Sequence, residues 1–116
     1  MTAPEVDRDK LRLVQLLEAA EEVSRDAAEG KSVFLNDRLT RSTIILGLIH
    51  LTESADKLSK GFKRANTQVN WSRLRDLRNE GLVHGYPDAD YDDLWRFIHV
   101  ELPALRRQLS RPKRPK

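Results

Sequence analysis

Apolar residues recur every three or four positions along most of this 116-residue chain, which is the period of an amphipathic helix. The pattern predicts long helices at residues 6–29 and 37–60, a third helix that begins at Trp71, and a fourth at residues 90–109. Polar segments separate them, and the segment at residues 31–37 has room for one short helical turn. The expected fold is therefore all-α: an antiparallel bundle of four helices, or of five if that turn forms a helix.

Residues that commonly begin or interrupt helices support these boundaries. Asn36 or Asp37, Asn70 and Asp90 stand where helix N-caps are expected, because their side chains can accept hydrogen bonds from the first main-chain N–H groups. Pro87 cannot continue the third helix, and Pro103 lies inside the fourth, where it should bend the helix axis.

Composition fits one small domain, because 39% of the residues are hydrophobic and 34% are charged. We predict a single domain at residues 1–110 and a disordered basic tail at residues 111–116. There is no cysteine, which excludes disulfides, zinc–cysteine sites and thiol catalysis. The longest apolar run is too short to span a membrane, and the N-terminal residues have no signal-peptide pattern, so a cytoplasmic protein is expected.

Charge is unevenly distributed along the chain. Between Lys57 and Arg78, seven basic residues accompany a single acidic one, Asp76, which gives this segment a net charge of +6. Such a segment would suit an anionic substrate, and the side chains expected to contact it are Lys57, Lys60, Lys63, Arg64, Arg73 and Arg75. A solvated basic face with no partner stays an alternative at this point.

An acidic run follows the basic segment. Asp88, Asp90 and Asp92 alternate as in a calcium-binding EF-hand loop, but Asp93 stands where that loop needs glycine and His99 where it needs glutamate. We therefore interpret the run as carboxylates at a helix N-terminus, and predict no metal site.

Candidate chemistry concentrates in the stretch "RNEGLVHGYPDADYDD", residues 78–93. Histidine can transfer a proton near neutral pH and arginine can grip a phosphate, so Arg78, His84 and Tyr86 together suggest a phosphate-handling site. His50 and His99 lack partners at metal-ligand spacing. The two tryptophans, at positions 71 and 95, are expected to anchor the core or an interface.

The segments "WSRLRDLRNEGLVHGY" and "DADYDDLWRFIHVELPALRRQL" resemble the signature of HEPN-domain proteins, specifically the HepT-like toxins. In that family a tryptophan-led helix carries Arg-Asn, a short spacer and His-any-Tyr, and a further helix ends in a Leu-Pro segment. "IHLTESADKLS" resembles the preceding long helix of the family. The likeness extends from about Phe34 to Leu105, and more loosely over the first helix.

The resemblance implies a HEPN-like helical bundle that forms a homodimer and cleaves RNA without a metal or cofactor, as the toxin of a toxin–antitoxin pair. Arg78 and His84 would be catalytic, and Asn79 an auxiliary polar contact. With RNA as the implied substrate, the basic side chains from Lys57 to Arg75 would hold its backbone. The implied partner is a nucleotidyltransferase antitoxin of the MNT type, which could transfer AMP to Tyr86. The rival hypothesis is a non-catalytic adaptor, or a nucleotide-binding partner of such an enzyme, and a third is a bundle in which His84 only caps a helix.

The spacer departs from the usual pattern by one residue. Five residues, "NEGLV", separate Arg78 from His84, where the HepT subgroup usually has four. At about 100° per residue, one extra residue turns the two side chains to different faces of a regular α-helix. A widened π-type turn or an early helix break at Glu80–Val83, with Gly81 tolerating the distortion, would return them to one cleft.

Overall fold

The computed structural model of the chain describes residues 3–82 and 90–114. Throughout these residues the secondary structure is helical and contains no strand, which confirms the predicted all-α class. Seven α-helices occur in the described ranges: α1 (Ala3–Asp26), α2 (Lys31–Asn36), α3 (Arg38–Asp56), α4 (Lys60–Ala65), α5 (Trp71–Asp76), α6 (Tyr91–Arg96) and α7 (Leu102–Ser110). Two π-helical turns extend them: the first π turn (Leu77–Leu82) follows α5, and the second (Phe97–Glu101) joins α6 to α7.

The predicted caps are confirmed. Asp37, Asn70 and Asp90 each accept a hydrogen bond from a main-chain N–H in the first turn of the helix that follows. At Asp37, a hydrogen bond from the Thr40 hydroxyl lowers the pKa of the carboxyl group. These caps set the starts of α3, α5 and α6, because the first turn of a helix has N–H groups without partners inside the helix.

The helix predicted at residues 37–60 ends earlier, at Asp56, and α4 occupies the first half of the polar link predicted at residues 60–70. Ser59 ends the preceding turn in an extended conformation, and its hydroxyl accepts a hydrogen bond from the Phe62 N–H. The buried Asp9 carboxylate of α1 accepts bonds from both the Ser59 N–H, at 2.8 Å, and the Ser59 hydroxyl, at 2.6 Å. A side chain 50 positions away thus stabilises the break between α3 and α4.

Helices α1 and α3 form the longest packed pair and run antiparallel, because Asp9 near the start of α1 meets Ser59 just past the end of α3. At mid-length the two helices approach closely at Gly47. A Cβ atom added there would lie 2.6 Å from Cγ2 of the buried Val23, so only glycine fits at this separation.

A cluster of aromatic side chains packs α2 against α6. Phe34 is fully buried and contacts the rings of Tyr91 and Trp95, with centroids 6.1 and 5.6 Å away. Arg41 of α3 lies over the Tyr91 ring at 4.7 Å and donates a hydrogen bond to the Leu35 carbonyl at 2.8 Å. The prediction that Trp95 packs against the core is confirmed.

The predicted fourth helix consists of α6, the second π turn and α7. Pro103 falls in the first turn of α7, directly after the π turn. Proline has no N–H and crowds the carbonyl four residues before it, so a widened turn at this point accommodates the ring. The bend of the helix axis predicted at Pro103 stays a prediction, and the structure shows a π turn directly before α7.

The residues that follow α7 stay close to the domain. The described part of the tail reaches Arg114, and the main chain of Lys113 is hydrogen-bonded to Asn66. The boundary after residue 110 stays a prediction. Within residues 3–82 and 90–114, none of the helices has the length and apolar content that crossing a membrane requires.

Candidate functional site

The first π turn begins directly after α5 and includes Arg78 and Asn79. In a π turn the main-chain hydrogen bonds reach back five residues instead of four, so the helix accommodates one additional residue. The turn was predicted at Glu80–Val83, and the observed turn overlaps that range and starts three residues earlier. His84 and Tyr86 lie outside the described residues, so their position relative to Arg78 stays a prediction.

Arg78 is half-buried, with its guanidinium near one carboxylate. Its Nη1 lies 3.7 Å from Oδ2 of Asp56 and 3.5 Å from Oδ1 of Asn79, so both contacts are at or beyond the limit of a hydrogen bond. The Nε atom is buried and has no hydrogen-bond partner among residues 3–82 and 90–114, as is also the case for Nε of Arg41. A buried N–H without a partner is uncommon in native structures and costs free energy. The Arg78 guanidinium therefore has donors available for an anion.

A small cavity of about 110 Å³ lies beside Asp56, between α3, α4 and α5. Its polar lining includes Asp56, Lys63 and Arg75, and its apolar lining includes Trp71 and Leu74. Two cations and an aromatic ring in one cavity suit a phosphate or another small anion better than an apolar ligand.

Lys63 reaches across this cavity from α4. Its Nζ donates a hydrogen bond to the Asp56 carbonyl at 3.2 Å and lies 6.0 Å from the centre of the Trp71 ring. Burial lowers the pKa of Lys63 below its ordinary value, with the nearby charge of Asp56 opposing that effect. A cation held in a partly desolvated place attracts a phosphate more strongly than one surrounded by water.

Trp71 forms a rigid wall of the cavity. Its indole N–H donates to the Asn66 carbonyl at 3.0 Å, and its ring packs edge-on to Phe62 with centroids 6.2 Å apart. The prediction that Trp71 anchors the core is confirmed, since it packs against the buried cluster.

Arg73 is engaged in a structural network. Its guanidinium donates two hydrogen bonds to Glu101, at 3.0 and 3.1 Å, and two to Asp93, at 3.1 and 3.2 Å. It also lies 5.7 Å from the ring centre of Phe97. Arg73 thus connects α5 to α6 and to the second π turn, and its donors are occupied by carboxylates.

The other predicted RNA contacts are on the surface. Lys57, Lys60, Arg64 and Arg75 are exposed, and Arg75 makes a long hydrogen bond of 3.4 Å to the Ser72 hydroxyl. The basic residues of this segment therefore fall into two groups. Arg73 is paired with carboxylates, whereas the other predicted RNA contacts are open to solvent or line the cavity.

Asp56 is the site residue that the sequence analysis missed. It immediately precedes the basic segment in sequence, 22 positions before Arg78, and only the packing of α5 on α3 brings the two together. Its place as the last residue of α3, where the helix dipole disfavours an anion, is the one signal that could have identified it.

The remaining histidines carry no ligand set. His99 stacks on Trp95 with ring centroids 6.1 Å apart, and His50 is exposed on α3. Within the described ranges, no three His, Asp or Glu side chains group as a metal site would require.

Comparison with known proteins identifies the family to which the sequence of this chain is similar. The model of the family described as "Ribonuclease HepT-like" matches residues 16–112. A protein from Thermococcus cleftensis named "Probable ribonuclease HepT" is 26% identical over 94 residues, which cover 81% of this chain and 83% of the relative. An inferred RNase from Caldanaerobacter subterraneus subsp. tengcongensis is 26% identical over 77 residues, covering 66% of this chain and 68% of the relative. No solved structure gives a significant match. The chain therefore belongs to the HepT-like ribonuclease family.

Proposed function

We propose that this protein is a metal-independent endoribonuclease, the toxin of a toxin–antitoxin pair, with Arg78 and His84 as its catalytic residues. The observation that carries the proposal is the state of Arg78: its ion pair with Asp56 is long, and its buried Nε has no hydrogen-bond partner within the part of the chain that the structure describes. The guanidinium contacts Asp56, and Asp56 lines the cavity together with Lys63 and Arg75. The names of the two relatives support RNA as the substrate class.

The reaction needs a base, an acid and stabilisation of a crowded phosphate. The ribose 2′-oxygen forms a bond to the adjacent phosphorus while the bond to the 5′-oxygen breaks, which leaves a cyclic phosphate and a free 5′-hydroxyl. His84 accepts the 2′-hydroxyl proton, since an unperturbed histidine titrates at about 6.5. The Arg78 fork stabilises the additional negative charge of the transition state. Asn79, exposed next to Arg78, serves as an auxiliary polar contact.

Asp56 holds Arg78 in place until RNA binds. A carboxylate 3.7 Å away attracts the guanidinium but leaves its donors unsaturated. A phosphodiester entering the site competes for those donors with better geometry, because two phosphate oxygens can accept from one guanidinium fork. Lys63 and Arg75 then offset the negative charge that Asp56 and the phosphate bring together.

A homodimer supplies the second proton-transfer group. One histidine per chain cannot act as base and acid at the same moment, whereas a two-fold axis near the first π turn would bring two copies of His84 into one cleft. Sedimentation at micromolar protein concentration tests this assembly, and a monomer under native conditions would contradict it.

The antitoxin would act at Tyr86. We propose that a nucleotidyltransferase of the MNT type transfers AMP from ATP to this hydroxyl, which loses its proton while pyrophosphate leaves. The attached AMP is a bulky anion within the catalytic motif and would block RNA. Intact-mass measurement after incubation with such an enzyme and ATP should show one added AMP, and a Tyr86→Phe variant should show none.

The deciding experiment is cleavage of RNA in the presence of EDTA. We expect the wild-type protein to cleave, and His84→Ala and Arg78→Ala each to lose cleavage while keeping the helical circular dichroism signal. His50→Ala and Arg38→Ala, which change exposed residues on α3, serve as matched controls and should stay active. Full activity of His84→Ala, or a strict need for a metal, would contradict the mechanism. The adaptor hypothesis predicts no cleavage by any of these proteins.

A further inference from the structure

Asn66 is a fully buried polar residue that the proposed reaction does not use. It follows directly after α4, and none of its surface is exposed to solvent. A buried amide that lacks partners destabilises the fold, so each of its polar atoms should be hydrogen-bonded. The partners of Asn66 therefore indicate what this residue holds in place.

The amide of Asn66 pairs with the main chain of Lys113, 47 positions away. Its Nδ2 donates to the Lys113 carbonyl at 2.8 Å, and its Oδ1 accepts from the Lys113 N–H at 2.6 Å. The second Nδ2 hydrogen is donated to the Phe62 carbonyl at 2.9 Å, and Oδ1 also accepts from Gln68 at 3.3 Å. Both donors of the amide are used, and we name this two-way pairing of Asn66 with Lys113 the tail clasp.

The tail clasp brings basic residues of the tail next to those of α4. Lys63 and Arg64 are in the last turn of α4, two or three positions before Asn66. Because the clasp uses only main-chain atoms of Lys113, the lysine side chain stays free to point outwards, and both Lys113 and Arg114 are exposed. The ion pairs found among the described residues involve neither of them, nor Arg64.

The clasp also connects the tail to the cavity beside Arg78. The Asn66 carbonyl accepts the indole N–H of Trp71, and Trp71 lines that cavity together with Lys63. One residue thus joins the tail, the end of α4 and the wall of the candidate site. A basic surface extends from the cavity over the end of α4 to the tail.

We infer that the tail clasp makes the tail a fixed part of the RNA-binding surface, contacting backbone phosphates away from the cleaved bond. This inference rests on the proposed function. A free tail would lose conformational freedom on binding RNA, and that loss would offset its electrostatic attraction. A tail already held by Asn66 has lost most of this freedom on folding, so Lys113 and Arg114 contribute more to affinity.

Two variants at Lys113 separate the effect of its charge on RNA affinity from the effect of the tail clasp. Lys113→Gln removes the charge and keeps both main-chain bonds to Asn66. Lys113→Pro removes the same charge and also the N–H that donates to Oδ1. Asn66→Ala removes the clasp from the other side, and Lys113→Pro keeps the test valid if that core variant fails to fold. Arg38→Gln is the matched charge control, because Arg38 begins α3 at the opposite end from α4.

Affinity is measured by fluorescence anisotropy with a labelled single-stranded oligouridine that carries 2′-O-methyl groups, which the wild-type protein cannot cleave by 2′-hydroxyl attack. Lys113→Gln should weaken binding about threefold and reduce the salt slope by about one. Lys113→Pro should weaken it about tenfold, because the clasp no longer holds Arg114 in place. The double variant Lys113→Gln/Arg114→Gln should weaken it to a similar extent, because it keeps the clasp but removes the charge of Arg114 itself. Arg38→Gln should change affinity by less than about twofold.

Hydrogen exchange of the Asn66 side-chain amide gives an independent measure of the clasp. We expect slow exchange in the wild-type and Lys113→Gln proteins and faster exchange in Lys113→Pro. Slow exchange in the wild type together with equal RNA affinity of Lys113→Pro and Lys113→Gln would overturn this inference and leave the proposed nuclease standing. If the wild-type protein fails to bind the oligonucleotide at all, the RNA-binding half of the proposed function is wrong, and this inference with it.

Discussion

Arg73 and Arg75 lie two positions apart on α5, and the structure predicts opposite outcomes when each is changed to methionine. Arg73 has 24% of its side chain exposed and donates four hydrogen bonds to Glu101 and Asp93. Arg75 is exposed and donates a long hydrogen bond of 3.4 Å to the Ser72 hydroxyl. We expect Arg73→Met to lower stability without changing RNA affinity, and Arg75→Met to lower RNA affinity without changing stability.

The loss of stability expected for Arg73→Met depends on how deeply Arg73 and its two carboxylate partners are buried. Fully exposed ion pairs contribute about 0–1 kcal/mol, and removing one partner of a buried pair costs about 3–5 kcal/mol. The carboxylates of Asp93 and Glu101 are 41% and 33% exposed, which places the network between these limits. Loss of the arginine should therefore cost about 2 kcal/mol. For 116 residues this corresponds to a decrease in Tm of about 8 °C.

Urea unfolding and oligouridine binding, measured on the same preparations, test both halves. A double-mutant cycle with Glu101→Gln isolates the pair energy, because the glutamine keeps the shape and removes the charge. A loss below about 0.5 kcal/mol for Arg73→Met would show that the four bonds do not hold α5 to α6 and the second π turn. If RNA affinity falls more for Arg73→Met than for Arg75→Met, Arg73 contacts RNA, and the structural role assigned to it here is wrong.

Three further outcomes follow from single contacts. Replacing Asp56 by asparagine removes the anion that competes with phosphate for Arg78, so oligouridine binding should become about threefold stronger. Stability should change by less than about 1 kcal/mol, because both partners of the ion pair are partly exposed. Weaker binding of the variant in the anisotropy assay would refute the role of Asp56. Gly47→Ala should destabilise by about 1–2 kcal/mol in urea unfolding, because its Cβ would lie 2.6 Å from Val23, and a combined Val23→Ala change should lose less than the sum of the two single variants. Because burial lowers the pKa of Lys63 in the folded state, the folded chain releases this proton before the unfolded chain does. The stability of the wild type relative to Lys63→Met should therefore increase as pH rises from that lowered value towards 10.5, and a decrease over this range would contradict the environment assigned to Lys63.

Much of the fold was predictable from the sequence because it depends on local pattern. The spacing of apolar residues identified α1 and α3, and the capping side chains of Asp37, Asn70 and Asp90 marked helix starts that the structure confirms. The π turn after α5 was predicted within a few residues, because one additional residue in a helix has few ways to be accommodated. These features involve residues within a turn or two of one another along the chain.

The contacts between distant residues were decided by the tertiary structure. Nothing local distinguishes Arg73 from Arg75, and only the packing of α5 against the second π turn gives Arg73 its two carboxylates. Arg78 likewise acquires Asp56 through the contact of α5 with α3. The start of α4 depends on Asp9 and the place of the tail on Asn66, through hydrogen bonds that span 50 and 47 positions. Helical periodicity shows which face of a helix is buried, but which side chains meet across that face depends on the relative placement of whole helices.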